Sequence, residues 1–154
     1  MEQSETLLYG ADARVLLANG RDFPVRMQEI NHNAAQLFAY LRGHKDVQRV
    51  YYPEGDAYEA IRVSGGGYGG LLSFELKDAT KARLVYDALA VAKGPSLGTD
   101  FTLASPYTLL AHYNELPWAI ENGVSPDLIR ASVGREDVGH IVKRFDAALG
   151  YAHP

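Results

Sequence analysis

Leu71-Leu72-Ser73-Phe74-Glu75-Leu76 decides the fold. Leu72, Phe74 and Leu76 alternate with Leu71, Ser73 and Glu75, the period-two pattern of a strand with one buried face. Glycine residues crowd in before it, Gly65-Gly66-Gly67-Tyr68-Gly69-Gly70, and a helical pattern follows it. From Asp78 to Val91, Ala82, Val85, Ala88 and Leu89 fall on one helical face. Upstream, Ala34, Leu37, Phe38 and Leu41 mark a helix from Asn33 to about Arg42, with Gly43 placed to end it. Downstream, Val138, Ile141, Val142, Phe145 and Leu149 mark a third helix, Glu136 to Leu149. Glu136 and Asp137 sit at its start, where the helix dipole favours acid, and Gly150 sits at its end.

Further strands fit between the helices. Val47 to Tyr52 is β-rich and closed by Pro53, and Val91 to Lys93 suits a short strand. Leu128 to Val133 alternates Ile129 and Ala131 with Arg130 and Ser132. The expected architecture is α+β: a small, mostly antiparallel sheet of about four strands with helices packed on one face. Pro95 to Pro126 shows little periodicity beyond a turn of helix near Tyr107 to Tyr113 and reads as a long irregular loop. Such loops often carry function.

Composition limits the function. At 154 residues the chain is one domain, or at most one and a small appendage, with room for a real core. The 15 basic and 19 acidic residues leave a net charge of −4 with no basic block, which disfavours nucleic acid. No apolar run reaches the roughly 18–20 residues that span a bilayer. The opening MEQSETLLYG lacks the basic and apolar regions of a signal peptide, so a cytoplasmic protein is expected. The absence of cysteine excludes disulfides and thiolate chemistry.

Few residues suggest chemistry. The glycine run leads into a strand and not a helix, so it reads as a flexible connector and not as a phosphate cradle. His32, His44, His112, His140 and His153 make no metal-ligand spacing; His140 reads as a surface residue and His112 stays open. No serine lies in a nucleophile elbow. Arg130 stands apart. Set in an apolar strand, its guanidinium either grips a carboxylate through paired hydrogen bonds or points to water from an edge. Pro95-Ser96-Leu97-Gly98-Thr99 reads as a turn with exposed backbone donors.

Five segments in order carry a resemblance. They are Asn19 to Met27 with Asn31 to Ala34, Val47 to Pro53, Gly67 to Leu76, Ser96-Leu97-Gly98, and Leu128 to Asp137. Together the chain resembles the C-terminal part of the trans-sulfuration family of pyridoxal-phosphate enzymes, the cystathionine γ-synthase and lyase group. Gly94 to Thr99 looks most like the fungal type of cystathionine γ-synthase. The likeness implies that residues 1–30 are a remnant of the large-to-small-domain passage. Residues 31–150 would then be the C-terminal small domain of a fold-type I enzyme, and 151–154 a tail.

The resemblance implies substrate-binding roles for Arg130, Ser96 and Leu97: Arg130 would hold the substrate α-carboxylate, with Ser96 backbone nearby. The substrates implied are an activated homoserine, cysteine or cystathionine. Thr99 replaces the family's second glycine, Pro95 stands where relatives carry glutamate, and Arg135 replaces an aliphatic residue. Pyridoxal 5′-phosphate is implied as cofactor. The family's Schiff-base lysine lies in a Ser-x-Thr-Lys-Tyr context, which Lys45, Lys77, Lys81, Lys93 and Lys143 lack. The chain is therefore expected to carry the carboxylate grip without catalytic residues or the cofactor platform. It would be inactive by itself, either a separate or truncated C-terminal domain of a cystathionine γ-synthase-like enzyme or a non-catalytic partner of full-length homologues. A small carboxylate-binding domain is the third expectation.

Overall fold

A computed structural model describes residues 8–152; Met1 to Leu7, His153 and Pro154, with the sequence expectations that fall on them, lie outside it. The elements run α1 (Gly10–Asn19), α2 (Phe23–Gly43), β1 (Val47–Tyr51), α3 (Asp56–Glu59), β2 (Leu71–Leu76), α4 (Ala82–Ala88), β3 (Ala92–Lys93), β4 (Leu103–Pro106), α5 (Tyr107–Ala111), α6 (Leu116–Glu121), β5 (Ile129–Ser132) and α7 (Val138–Leu149). The strands form one sheet in the order β1-β2-β5-β4-β3. Every pairing is antiparallel except β3 with β4. The α+β architecture is as expected, with five strands in place of about four. The added strand is β4, inside the stretch read as irregular.

Register sorts the side chains between the two faces. Leu72, Ala131 and Ala104 line up across β2, β5 and β4, and so do Phe74, Ile129 and Pro106. This face meets Leu37 and Leu41 of α2, Val85 of α4 and Ile141 and Phe145 of α7 in the core. Phe145 stands edge-on to Phe74, ring centroids 6.1 Å apart. The opposite face carries Tyr51, Ser73, Arg130 and Ser105 in one row, and Leu71, Ser132 and Leu103 in the next.

Several element ends differ from expectation for local reasons. α2 starts ten residues earlier, at Phe23, with Pro24 in the first turn, where its missing N–H costs nothing. Gly43 stays in the helix without a positive φ; His44 ends it by turning extended. α4 is shorter than read. A 3₁₀ turn over Ala79–Lys81 precedes it, Asp78 accepts a bond from Thr80 N–H, and Leu89 leaves the helix. α7 starts at Val138 because the Asp137 carboxylate caps it, accepting from His140 N–H at 3.0 Å. Gly150 ends α7 in a right-handed 3₁₀ turn. Among the described residues no helix is long and apolar enough to cross a membrane.

The glycine run is no loose connector. A Cβ on Gly67 would lie 2.2 Å from Asn31 Cγ, and Asn31 Oδ1 accepts from Gly69 N–H at 2.8 Å. The run is thus packed against α2 as it delivers the chain into β2.

Candidate functional site

Arg130 sits on β5, flanked by β2 and β4, and its side chain leaves the sheet face opposite Ile129, Ala131 and the core. The residue is half-buried. Nη2 donates to the carbonyls of Pro95 at 2.5 Å and Ser96 at 3.4 Å. The guanidinium carbon lies 5.1 Å from the centroid of the Tyr107 ring, a cation–π contact. Among the described residues none of its partners is a carboxylate. The charge is therefore held by dipoles and a ring, an arrangement able to receive an anion.

The Ser96 segment is fixed beside the arginine. Gly98 N–H donates to the hydroxyl of Ser132, one residue-pair along β5, at 3.0 Å. Ser96 is exposed, and Leu97, 58% exposed, helps line a cleft of about 210 Å³ with Phe23, Met27, Ile30, Leu71 and Ser132. The structure thus brings Arg130, Ser96 and Leu97 to one side of the sheet. A cleft of about 350 Å³ lies elsewhere, between α4 and α5 against Ile129, on the sheet face that Arg130 does not use.

Two polar networks hold the site. Asn33 on α2 is buried, and its amide donates to the carbonyls of Gly134 at 3.0 Å and Glu136 at 2.8 Å. Glu136 in turn accepts from Thr102 N–H at 2.7 Å and Thr102 Oγ1 at 2.8 Å. Thr102 Oγ1 accepts from Gly134 N–H at 3.0 Å. Gly134 must be glycine here, since a Cβ would lie 2.4 Å from the Phe101 carbonyl carbon. The second network is ionic. Arg135 pairs with Glu29, with Asp22 at 3.4 Å and with Asp100 at 3.7 Å, and these carboxylates hold its pKa up. Arg26 pairs with Asp22 at 3.1 Å. The arginine that departs from the family pattern thus ties α2 to the loop after Leu97.

None of the described lysines reaches this site. The ammonium of Lys93 donates to the carbonyl of Tyr86 and lies 4.1 Å from that ring's centroid, on α4, and burial lowers its pKa. Lys45, Lys77 and Lys143 are exposed, and Lys81 ends the turn before α4. The residues present therefore do not fit covalent attachment of an aldehyde cofactor beside Arg130. His112 pairs with Glu115 at 2.7 Å and stands edge-on to Tyr107, one ring away from the guanidinium. His140 is exposed on α7. Ser105 and Tyr107, which flank the arginine, were not singled out in the sequence. They sit in the aperiodic stretch: the register of β4 against β5 places Ser105, and the start of α5 places the Tyr107 ring against the guanidinium.

Comparison with known proteins bears on this arrangement. Cystathionine γ-synthase of Neurospora crassa is 45% identical over 155 residues, covering 98% of this chain and 25% of that protein. Cystathionine β-lyase MetC of Staphylococcus haemolyticus is 30% identical, covering 94% of this chain and 37% of that one. The crystal structure of cystathionine γ-lyase from Lactobacillus plantarum complexed with L-serine superposes with a TM-score of 0.81 at 26% identity, over 94% of this chain and 39% of that one. The chain thus spans about a quarter to two-fifths of the length of these relatives. The profile of the Cys/Met metabolism PLP-dependent enzymes matches residues 7–150. Fold, motif order and match length agree, and the chain belongs to the Cys/Met metabolism PLP-dependent enzyme family.

Proposed function

We propose that this chain is the C-terminal, substrate-carboxylate-binding part of a cystathionine γ-synthase-like enzyme of cytoplasmic sulfur amino-acid metabolism. The single observation behind this reading is the guanidinium of Arg130. It lies beside the Ser96 segment and pairs with no described carboxylate. Its role is to hold the α-carboxylate of an activated homoserine or cystathionine in a two-point grip, with Leu97 as an apolar wall. Residues 1–30 then represent the passage from a large domain that holds pyridoxal phosphate, the group that stabilises carbanions in such enzymes.

In the chain by itself the grip stays wet. An exposed Arg–carboxylate contact is worth about 0–1 kcal/mol, and 1 mM affinity corresponds to about −4 kcal/mol. Titration calorimetry with L-cystathionine is therefore expected to show measurable binding in the millimolar range that Arg130→Ala abolishes. Micromolar binding lost in Arg130→Ala would make the chain a finished amino-acid-binding domain. Binding indifferent to Arg130 would sink the assignment. Borohydride reduction after mixing with pyridoxal phosphate is expected to give no stoichiometric, site-specific lysine adduct.

One observation favours a second reading, a non-catalytic partner of full-length family members. α1 buries none of its residues and exposes Val15, Leu16 and Leu17. Co-elution of the chain with an intact cystathionine γ-synthase, with a change in that enzyme's rate, would support it.

A further inference from the structure

Ser105 lies directly opposite Arg130 in the β4–β5 register. Directly opposed residues of an antiparallel pair share a face, with Cβ atoms about 4.5–5.5 Å apart. Ser73 is opposite Arg130 on the other side, in β2. The arginine extends away from Ser73. Its Nη2 reaches Pro95 and Ser96, which follow β3, and its guanidinium carbon lies over Tyr107, which follows β4. With the order β2-β5-β4-β3, the side chain has to cross β4, and the residue in register beneath it is Ser105.

Two buried polar atoms here have no hydrogen-bond partner among the described residues: Arg130 Nε and Ser105 Oγ. Ser105 is 1% exposed, so water does not reach it from the surface. Nε–H can only donate, and a serine hydroxyl can accept. Unsatisfied buried groups are rare in folded proteins. Two complementary ones on facing residues amount to a hydrogen bond waiting to be made.

We propose that Ser105 is the positioning residue of Arg130, accepting its Nε–H when the guanidinium leaves the Pro95 and Ser96 carbonyls to bind a carboxylate. The proposal rests on the carboxylate-binding reading of Arg130. Without ligand, Nη2 is occupied by two backbone carbonyls and Nε is left over. When a carboxylate takes the terminal nitrogens, the guanidinium shifts off those carbonyls and Nε comes to the hydroxyl. The planar group is then held from both ends, ligand on one and Ser105 on the other, with the Tyr107 ring against its face. Size contributes as well: a longer side chain at 105 would lift the arginine stem off β4.

The test uses the full ¹⁵N-labelled chain and L-cystathionine as probe. The Arg130 Nε–Hε resonance is identified by its loss in Arg130→Lys. Ser105→Ala removes a hydroxyl that has no partner, so its denaturation midpoint should hold or rise. Its cystathionine affinity should nevertheless fall about tenfold, a factor that corresponds to about 1.4 kcal/mol. Ser105→Thr restores the hydroxyl and should recover affinity to within about threefold. In wild type the Nε–Hε proton should move downfield on saturation, and in Ser105→Ala it should not. A residue that only filled space would move the midpoint and would leave that proton alone. Equal, Arg130-dependent binding by wild type and Ser105→Ala overturns the role of Ser105 and leaves the Arg130 reading standing. Binding that ignores Arg130→Ala, or no binding at all, overturns both. Should Ser105→Thr fail to fold, the wild-type Nε–Hε shift decides, and its absence at saturation counts against the proposal.

Discussion

Thr102→Val removes one oxygen atom and keeps the shape of the side chain. Thr102 is 1% exposed, and its Oγ1 joins three segments. It donates to the Glu136 carboxylate at 2.8 Å and accepts from Gly134 N–H at 3.0 Å. A hydrogen bond to a charged group contributes about 1.5–3 kcal/mol, and a buried donor left unpaired costs about 1–3 kcal/mol. The two losses overlap. Glu136 keeps its bond from Thr102 N–H at 2.7 Å, and its side chain, 24% exposed, can take up water. The expected destabilisation is therefore about 2–4 kcal/mol, below the full sum. Urea unfolding followed by far-UV circular dichroism measures it. With an m-value of about 2 kcal/mol/M, the midpoint should drop by about 1–2 M. Thr102→Ser keeps the hydroxyl and loses one methyl, so about 1 kcal/mol is expected. A loss under about 0.5 kcal/mol for Thr102→Val would refute the claim that this network holds the exit of β5 in place. Parity of Val and Ser would do the same.

Two other perturbations test the core and the tyrosines. Phe145 is fully buried against Phe74, so Phe145→Ala should cost about 3–5 kcal/mol; an unmoved denaturation midpoint would mean α7 packs by another face. Burial pushes the Tyr52 hydroxyl up to about 12 while it donates to the Gly69 carbonyl at 2.8 Å. The unfolded chain then ionises first, near pH 10, so stability is full below that pH and falls as pH rises from about 10 towards 12. Tyr52→Phe should flatten part of that fall in urea midpoints measured across the range, and an unchanged pH profile would count against it.

Much of the fold can be read along the chain because its signals are local. β2 has six residues, enough for Leu72, Phe74 and Leu76 to declare a buried face, and α7 has twelve, enough for Ile141, Phe145 and Leu149 to declare another. The same alternation puts Arg130 opposite Ile129 and Ala131, so the guanidinium's side of the sheet was legible too. β4 was not. It has four residues, and Leu103, Ala104 and Ser105 are all buried, with the core on one face and Arg130 and the segment from Pro95 to Gly98 on the other. A strand covered on both faces shows no alternation, and its identity comes from pairing with β5, twenty-odd residues away in sequence. α1 and the first turns of α2 escaped notice for the opposite reason: α1 buries none of its residues, so no apolar periodicity distinguishes it. Charge partners are equally invisible in one dimension. Arg135 reads as a departure from a motif until the fold sets Asp22, Glu29 and Asp100 around it. Local propensity and periodicity thus determined the elements that carry one buried face and singled out Arg130. Long-range strand register, pairing residues about 25 apart, decided what that arginine touches, and ion pairing over about 110 residues decided what Arg135 ties together.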